Sequence, residues 1–321
     1  MPGQALVYSV VGYTDVGTQD THTMGWQVLD SASVVVASGS GLDLNFTPTV
    51  ADTYTVSFKV TDDDTGWETK TLTLTVSLAT TQTGACCAAG TSLVVGSLTV
   101  NDRIHVNPIG NNGTLQVQIT NRTNDTLVYQ QTFAPPVGGW AQIVIFGQGA
   151  DDYIQITGSI SIPACIHAGG GNDNVKGGDG ADIILGGAGD DMLIGGGGRD
   201  LMIGGIGADR LVGNTEEDIL IAGYTAYDDN DEALCAFMNE WTSAGSYTAR
   251  KNNISTGLTG GYRLVGDDGA TQTVFNDNSA DTLTGSQGID WFFANRIADN
   301  GGVLDTVTDQ GASELWSDTD F

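Results

Sequence analysis

The 321-residue chain predicts an all-β protein: an N-terminal β-sandwich, then a parallel β-roll that carries a small helical insertion. Three observations predict it. Residues 5–78 alternate apolar and polar side chains at a period of two, with acidic or glycine turns between the runs. Residues 168–221 repeat every nine residues, with glycine, aspartate and an apolar side chain at fixed places. Near residue 230 the period becomes helical, with Leu234, Phe237, Met238 and Trp241 at i, i+3, i+4 and i+7.

Composition narrows the function classes. Lys+Arg 11 against Asp+Glu 39 gives a formal net charge of -28, which repels nucleic acid and anionic membrane and attracts cations. A hydrophobic content of 40% in a patterned sequence argues against disorder. No apolar run reaches the length of a membrane span. The start, "MPGQALVYSVVGYTD", lacks the basic and apolar regions of a Sec signal, which fits export by another signal or a fragment of a longer chain. The four cysteines, Cys86, Cys87, Cys165 and Cys235, have no metal-ligand spacing. Free, half-buried thiols are expected, with one bridge as the alternative.

Residues 1–79 form the first predicted domain. The runs "ALVYSVVGY", "DTYTVSFKVTD" and "KTLTLTVSL" are rich in β-branched residues, and about seven short strands in this space suggest a sandwich with Trp26 and Tyr54 in its core. The stretch "ADTYTVSFKVTDDDTGWETKTLTLTV" resembles the last hairpin of PKD (polycystic kidney disease) Ig-like domains, and "TDVGTQDTHTMGWQVLD" resembles their early strands. The W-D-F-G-D-G centre of that family is replaced by "GWQVLDSAS". The resemblance implies a spacer or weak interaction module. Some members bind Ca²⁺ through acidic loops; here Asp62, Asp63 and Asp64 read more simply as a solvated turn. Residues 80–91, small and polar, read as a linker.

The second domain spans 92–321. Residues 92–167 read as irregular coils capping a solenoid, with "FGQGADDYI" as a loose repeat that places Asp151 at the sixth place. Written in nines, 168–221 gives AGGGNDNVK, GGDGADIIL, GGAGDDMLI, GGGGRDLMI, GGIGADRLV and GNTEEDILI. Asp173, Asp182, Asp191, Asp200, Asp209 and Asp218 hold place six, and Val175, Ile184, Leu193, Met202, Leu211 and Leu220 hold place eight. Glycines at places two and four, Gly169 and Gly171, Gly178 and Gly180, Gly187 and Gly189, Gly196 and Gly198, Gly205 and Gly207, allow tight turns. Two nonapeptides make one 18-residue coil, and coils stack at the usual strand spacing of about 4.8 Å. The aspartates then form two rows, one per edge, with Asp173 beside Asp191, Asp182 beside Asp200, Asp191 beside Asp209 and Asp200 beside Asp218. Such rows repel unless a hard cation joins them. Ca²⁺ takes six to eight oxygen ligands, which carboxylates and turn carbonyls supply. About four or more ions are expected, with the site at the sixth repeat irregular or empty, because Asn214 and Glu216 replace glycines there.

A helix is expected over 230–242, inside an insertion of residues 224–278. The repeat resumes over 276–293 as NDNSADTLT and GSQGIDWFF, with Asp281 and Asp290 at place six; an insertion within one turn would stack Asp281 on Asp209 and Asp290 on Asp218. Residues 294–321 form an acidic tail.

The pattern G-G-x-G-x-D-x-U-x resembles the calcium-binding nonapeptide of RTX (repeats-in-toxin) proteins. The run from "LVGNTEEDILIAGYTAYDDND" through "EWTS" to "TLTGSQGIDWFFAN" resembles hemolysin-type C-termini of surface or secreted proteins of planctomycete-like bacteria. The resemblance implies an extracellular place. His22, His105 and His167 form no H-E-x-x-H motif, and "GSQG" is no nucleophile elbow, so no enzyme is expected here. Two readings stand: a non-catalytic structural or adhesive calcium module, or the folding and type I secretion tail of an enzyme whose catalytic domain lies upstream. The partner, whether cell-surface, polysaccharide or a second copy, is unspecified.

Overall fold

The computed structural model describes residues 6–9, 22–41, 43–46, 52–62, 67–87, 89–98, 100–266, 271–296, 303–309 and 315–318. The chain divides into two compact units, Met1–Leu78 and Ala79–Phe321. It is mostly β, with two helices among the described residues.

The described part of the first unit contains β1 (Leu6–Ser9), β2 (His22–Leu29), β3 (Val35–Ser40), β4 (Asp43–Phe46), β5 (Asp52–Asp62) and β6 (Trp67–Val76). Strands β3-β2-β5-β6 form an antiparallel sheet, and β1 pairs with β4. Val28, Leu44, Phe46, Tyr54 and Val56 make a small core, against which Trp26 packs while only partly buried. Asp62 ends β5, whereas Asp63 and Asp64 lie outside the described residues.

The second unit is built on two nine-stranded sheets. One holds β9 (Asp102–Ile109), β10 (Thr114–Asn121), β11 (Thr126–Phe133), β13 (Tyr153–Ile156), β15 (Asn174–Gly178), β17 (Met192–Gly196), β19 (Arg210–Asn214), β23 (Thr282–Ser286) and β25 (Thr306–Val307). The other holds β7 (Ala79–Thr83), β8 (Thr91–Gly96), β12 (Gln142–Phe146), β14 (Ala164–Gly170), β16 (Ile183–Ala188), β18 (Leu201–Ile206), β20 (Ile219–Ile221), β24 (Trp291–Ala294) and β26 (Leu315–Asp318). Successive repeats alternate between the sheets. Each strand pairs in parallel with the strand one coil away, as Val175 with Leu193 and Ile184 with Met202. These parallel sheets have the form of a β-roll. At the N-terminal end the pairings become antiparallel, β9-β10-β11 in one sheet and β7-β8 in the other.

The core between the sheets is the row of place-eight side chains. Val175, Ile184, Leu193, Met202, Leu211, Leu220, Leu283 and Phe292 are all 0% exposed. A second core lies outside one sheet only. In β16, β18, β20 and β24 the flanking places are also apolar, and Ile183, Leu185, Leu201, Ile203, Ile219, Ile221, Trp291 and Phe293 are buried with residues of the insertion. On the opposite sheet those places hold the polar Asn174, Lys176, Arg210, Thr282 and Thr284 together with Met192, Ile194 and Val212, and they remain partly or fully exposed.

The insertion leaves the roll after β20, pairs β21 (Tyr224–Thr225) with β22 (Val274–Phe275), and contributes α1 (Asp231–Trp241) and α2 (Tyr247–Thr256). The Asn230 side chain caps α1 by accepting from the Ala233 N–H, and Asp231 and Glu232 place negative charge in its first turn. Its stripe of Leu234, Phe237, Met238 and Trp241 is buried. Helix α2 carries no periodic sequence signal, because it buries only Arg250 and Ile254 and so has no apolar stripe. Arg250 anchors it: its guanidinium lies 4.9 Å over the Trp241 ring and donates to the Trp241 carbonyl at 2.6 Å.

Two expectations need correction. Residues 80–91 are not a linker: they hold most of β7, which pairs with β8, and a turn carrying Cys86 and Cys87. Nor are the thiols free. Cys86 bonds Cys165 of β14, and Cys87 bonds Cys235 of α1. The partners lie 79 and 148 residues away, brought together by coil stacking and helix docking, so no sequence spacing announces them. Reducing both bridges should lower the stability of the roll by roughly 2–4 kcal/mol for each. Urea unfolding with and without reductant measures this; coincident curves would contradict it.

Candidate metal centre

The glycine turns set the geometry. Gly187 sits at φ +107°, and a Cβ there would collide with the Gly169 carbonyl of the preceding coil. Of the ten glycines expected at places two and four, nine take positive φ. The exception, Gly180, is required by close approach, since a Cβ would lie 2.6 Å from the Ile162 carbonyl. The sixth repeat keeps positive φ at places two and four without glycine there, as Asn214 and Glu216 adopt φ +86° and +74°.

These turns deliver the place-six aspartates into two rows. The backbone N–H of each aspartate donates to Oδ1 of the aspartate one coil on. On one edge the bonds run from Asp173 to Asp191 (2.7 Å), Asp191 to Asp209 (2.8 Å) and Asp209 to Asp281 (2.7 Å). On the other they run from Asp182 to Asp200 (2.8 Å), Asp200 to Asp218 (2.8 Å) and Asp218 to Asp290 (2.9 Å). All eight aspartates singled out from the sequence lie in a row, and the insertion leaves the register intact.

The first edge is longer than the repeats indicate. Asp102 donates to Asp152, Asp152 to Asp173, and Asp281 to Asp305. Asp152, not Asp151, holds the row position; the exposed Asp151 carboxylate instead accepts from the Asn172 N–H. The nine-residue frame in that turn starts at Gly147, one residue later than the sequence reading placed it. With that frame Ile154 falls on place eight and is 0% exposed. His167 lies in β14, with Nε2 3.5 Å from the Asp231 carboxylate.

The second oxygen of each carboxylate carries the chemical interest. Oδ2 of Asp152, Asp173, Asp182, Asp191, Asp200, Asp209, Asp218 and Asp281 is buried and accepts no hydrogen bond. For Asp152, Asp182, Asp191, Asp200, Asp209 and Asp218 it faces the place-one glycine of its own repeat and a carbonyl one coil on. A Cβ on Gly186 would collide with both Asp191 Oδ2 and the Gly204 carbonyl, and one on Gly195 would collide with Asp200 Oδ2. The place-one glycines Gly177, Gly186, Gly195, Gly204 and Gly213 thus leave room for oxygen atoms to converge. Glycine at place one serves the site in a way distinct from the turn-forming glycines at places two and four.

Leaving a buried carboxylate oxygen without a partner costs about 1–3 kcal/mol or more. Burial accordingly pushes these groups toward the neutral form. It raises Asp173 to about 6, Asp209 to about 7, and Asp152, Asp191 and Asp281 to about 8. Burial also drives Asp182, Asp200 and Asp218 well above the usual range; for Asp200 the Asp182 and Asp218 charges add to the effect. Buried anionic oxygens backed by carbonyls are a hard-cation donor set, and Ca²⁺ fits them. The carboxylates would hold the ion, which supplies the positive charge that keeps them ionised.

A family model for the RTX calcium-binding nonapeptide repeat (4 copies) matches residues 167–202, 203–224 and 275–296. Those segments therefore carry RTX calcium-binding repeats. No curated protein and no solved structure matches the chain. The PKD-like and planctomycete-like resemblances rest on the quoted residues alone.

The raised values fix a sign. Unfolded aspartates titrate near 3.9, so the cation-free folded state binds more protons than the unfolded state, and its stability falls as pH rises. The contribution is full below about pH 4 and is lost as pH passes through about 6 to 8, the range of the values above. In chelator, the β signal in circular dichroism should therefore be greater at pH 5 than at pH 8. A signal equal or greater at pH 8 would contradict the burial of ionisable carboxylates.

Proposed function

We propose that this chain is a non-catalytic, extracellular calcium module whose roll folds when Ca²⁺ binds, serving as a structural or adhesive part of a secreted or surface bacterial protein. One observation carries the reading: two rows of buried aspartates with unsatisfied oxygens, in segments that carry calcium-binding repeats. Asp173, Asp182, Asp191, Asp200, Asp209, Asp218, Asp281 and Asp290 supply the carboxylates, and the glycine turns supply carbonyls. Four or more ions is the working count. Each coil encloses one apolar residue per strand, a thin core against the entropy of ordering the chain. The binding free energy of the ions is then part of the folding free energy.

Two features favour an extracellular place. Disulfides persist in oxidising compartments, and both Cys86–Cys165 and Cys87–Cys235 are bridged. Extracellular calcium modules also work at roughly 10⁻⁴–10⁻³ M ion. Among the described residues no helix is long and apolar enough to cross a membrane. Residues 1–79 are assigned as a spacer.

Titrating Ca²⁺ into chelator-treated protein should produce a cooperative gain of β signal in circular dichroism. Asp200→Asn should raise the midpoint about tenfold, because ligand charge tunes calcium affinity over decades. An unchanged spectrum from chelator to millimolar Ca²⁺ would sink the proposal.

A further inference from the structure

The first-edge row passes through a turn that lies ahead of the matched repeats, which begin at residue 167. The turn contains Gly147, Gln148, Gly149, Ala150, Asp151 and Asp152, and its sequence lacks the repeat's double glycine. Its backbone nevertheless has the repeat's conformation. Gln148 and Ala150, at places two and four, take φ +73° and +77°, where the nonapeptides have glycine. Non-glycine residues rarely occupy this region unless the surroundings impose it.

The oxygen atoms match as well. Asp152 is 0% exposed, its N–H donates to Asp173 Oδ1 at 2.7 Å, and its Oδ2 is buried with no hydrogen bond. Asp173 Oδ2, one coil on, is in the same condition. A Cβ on Gly147 would collide with the Ala168 carbonyl and lie 3.1 Å from Asp152 Oδ2. Gly186, Asp191 Oδ2 and the Gly204 carbonyl stand in the same relation inside the matched repeats. The coil before differs: Ser97 holds place one, and its hydroxyl donates to the Gly147 carbonyl. A side chain there occupies ground that is bare at Gly147.

We propose that the Gly147–Asp152 turn, with Asp173, is a further divalent-cation station, taking Ca²⁺ through the Asp152 and Asp173 carboxylates and the Ala168 carbonyl. The proposal rests on the calcium reading of the repeats and extends it one coil ahead of them. It makes Asp152 a ligand and Asp151, its neighbour in sequence, a bystander.

The test counts Ca²⁺ ions bound per full-length chain by native mass spectrometry and calorimetry. Asp152→Asn should bind one ion fewer than the parent, and Asp151→Asn, which removes the same charge, should bind the parent number. Equal counts for Asp152→Asn and the parent overturn the station while leaving the calcium reading intact; a parent that binds no Ca²⁺ overturns both. A crystal structure of the parent grown with Ca²⁺ decides the matter without any variant. An ion between Asp152 and Asp173 supports the station, and ions along the later repeats with none here overturn it.

Discussion

The roll depends on carboxylates buried where no protein donor reaches their second oxygen. Each place-six aspartate uses Oδ1 to receive the backbone N–H of the preceding coil, and this bond holds the coil register. The same bond commits the side chain to an interior position, and for Asp182, Asp191, Asp200, Asp209 and Asp218 it leaves Oδ2 near a carbonyl of the next coil. Register and ion affinity are therefore one feature. A neutral side chain could keep the register, but only a charged one gives a divalent cation reason to enter. In the absence of the ion, protonation is the remaining way to remove the charge, which is why burial raises these groups so far.

The two sheets solve different problems. Both bury place eight between them, but one sheet also presents apolar side chains on its outer face. The insertion exists, in physical terms, to cover that face: α1 lays Leu234, Phe237 and Trp241 into the cluster that holds Ile203, Ile221 and Trp291. Trp241 Nε1 donates to the Glu217 carbonyl at 2.7 Å, and Glu217 also pairs with Arg199 at 2.6 Å, so helix and turn share one polar network. The two disulfides fasten the same assembly, one to a strand of the roll and one to the covering helix. In sequence the insertion separates Asp209 from Asp281 and Asp218 from Asp290, yet neither row breaks, because it departs and returns within the one turn between β20 and β23.

Much of this was legible in the sequence. A nine-residue period fixes the coil, the alternation of sheets, the inward place eight and the rows, and it carries across the insertion to Asp281 and Asp290. The helical spacing of Leu234 through Trp241 is equally local. What escaped the reading is what depends on contacts distant in sequence. The pairing of Cys86 and Cys87 is set by docking, and α2 is held by a buried arginine over a tryptophan. The turn at 80–91 looked like a linker because small polar residues serve an edge strand as readily as a loop. Asp152 escaped for another reason: Gln148 and Ala150 disguise the repeat's turn, and an adjacent Asp151 offers a misleading frame. The outer apolar face is written in "IIL", "LMI", "ILI" and "WFF", but the alternate repeats "NVK", "MLI", "RLV" and "TLT" include one equally apolar triplet, which blurs the contrast between the two faces in sequence.

Hydrogen exchange at the aspartate amides tests the central claim most directly, because those N–H groups donate to the carboxylates themselves. If a cation holds the rows, the amides of Asp173, Asp182, Asp191, Asp200 and Asp209 are strongly protected in millimolar Ca²⁺ and exchange freely in chelator at pH 8. Equal protection in both conditions would mean that the rows stand without an ion, and would contradict the account.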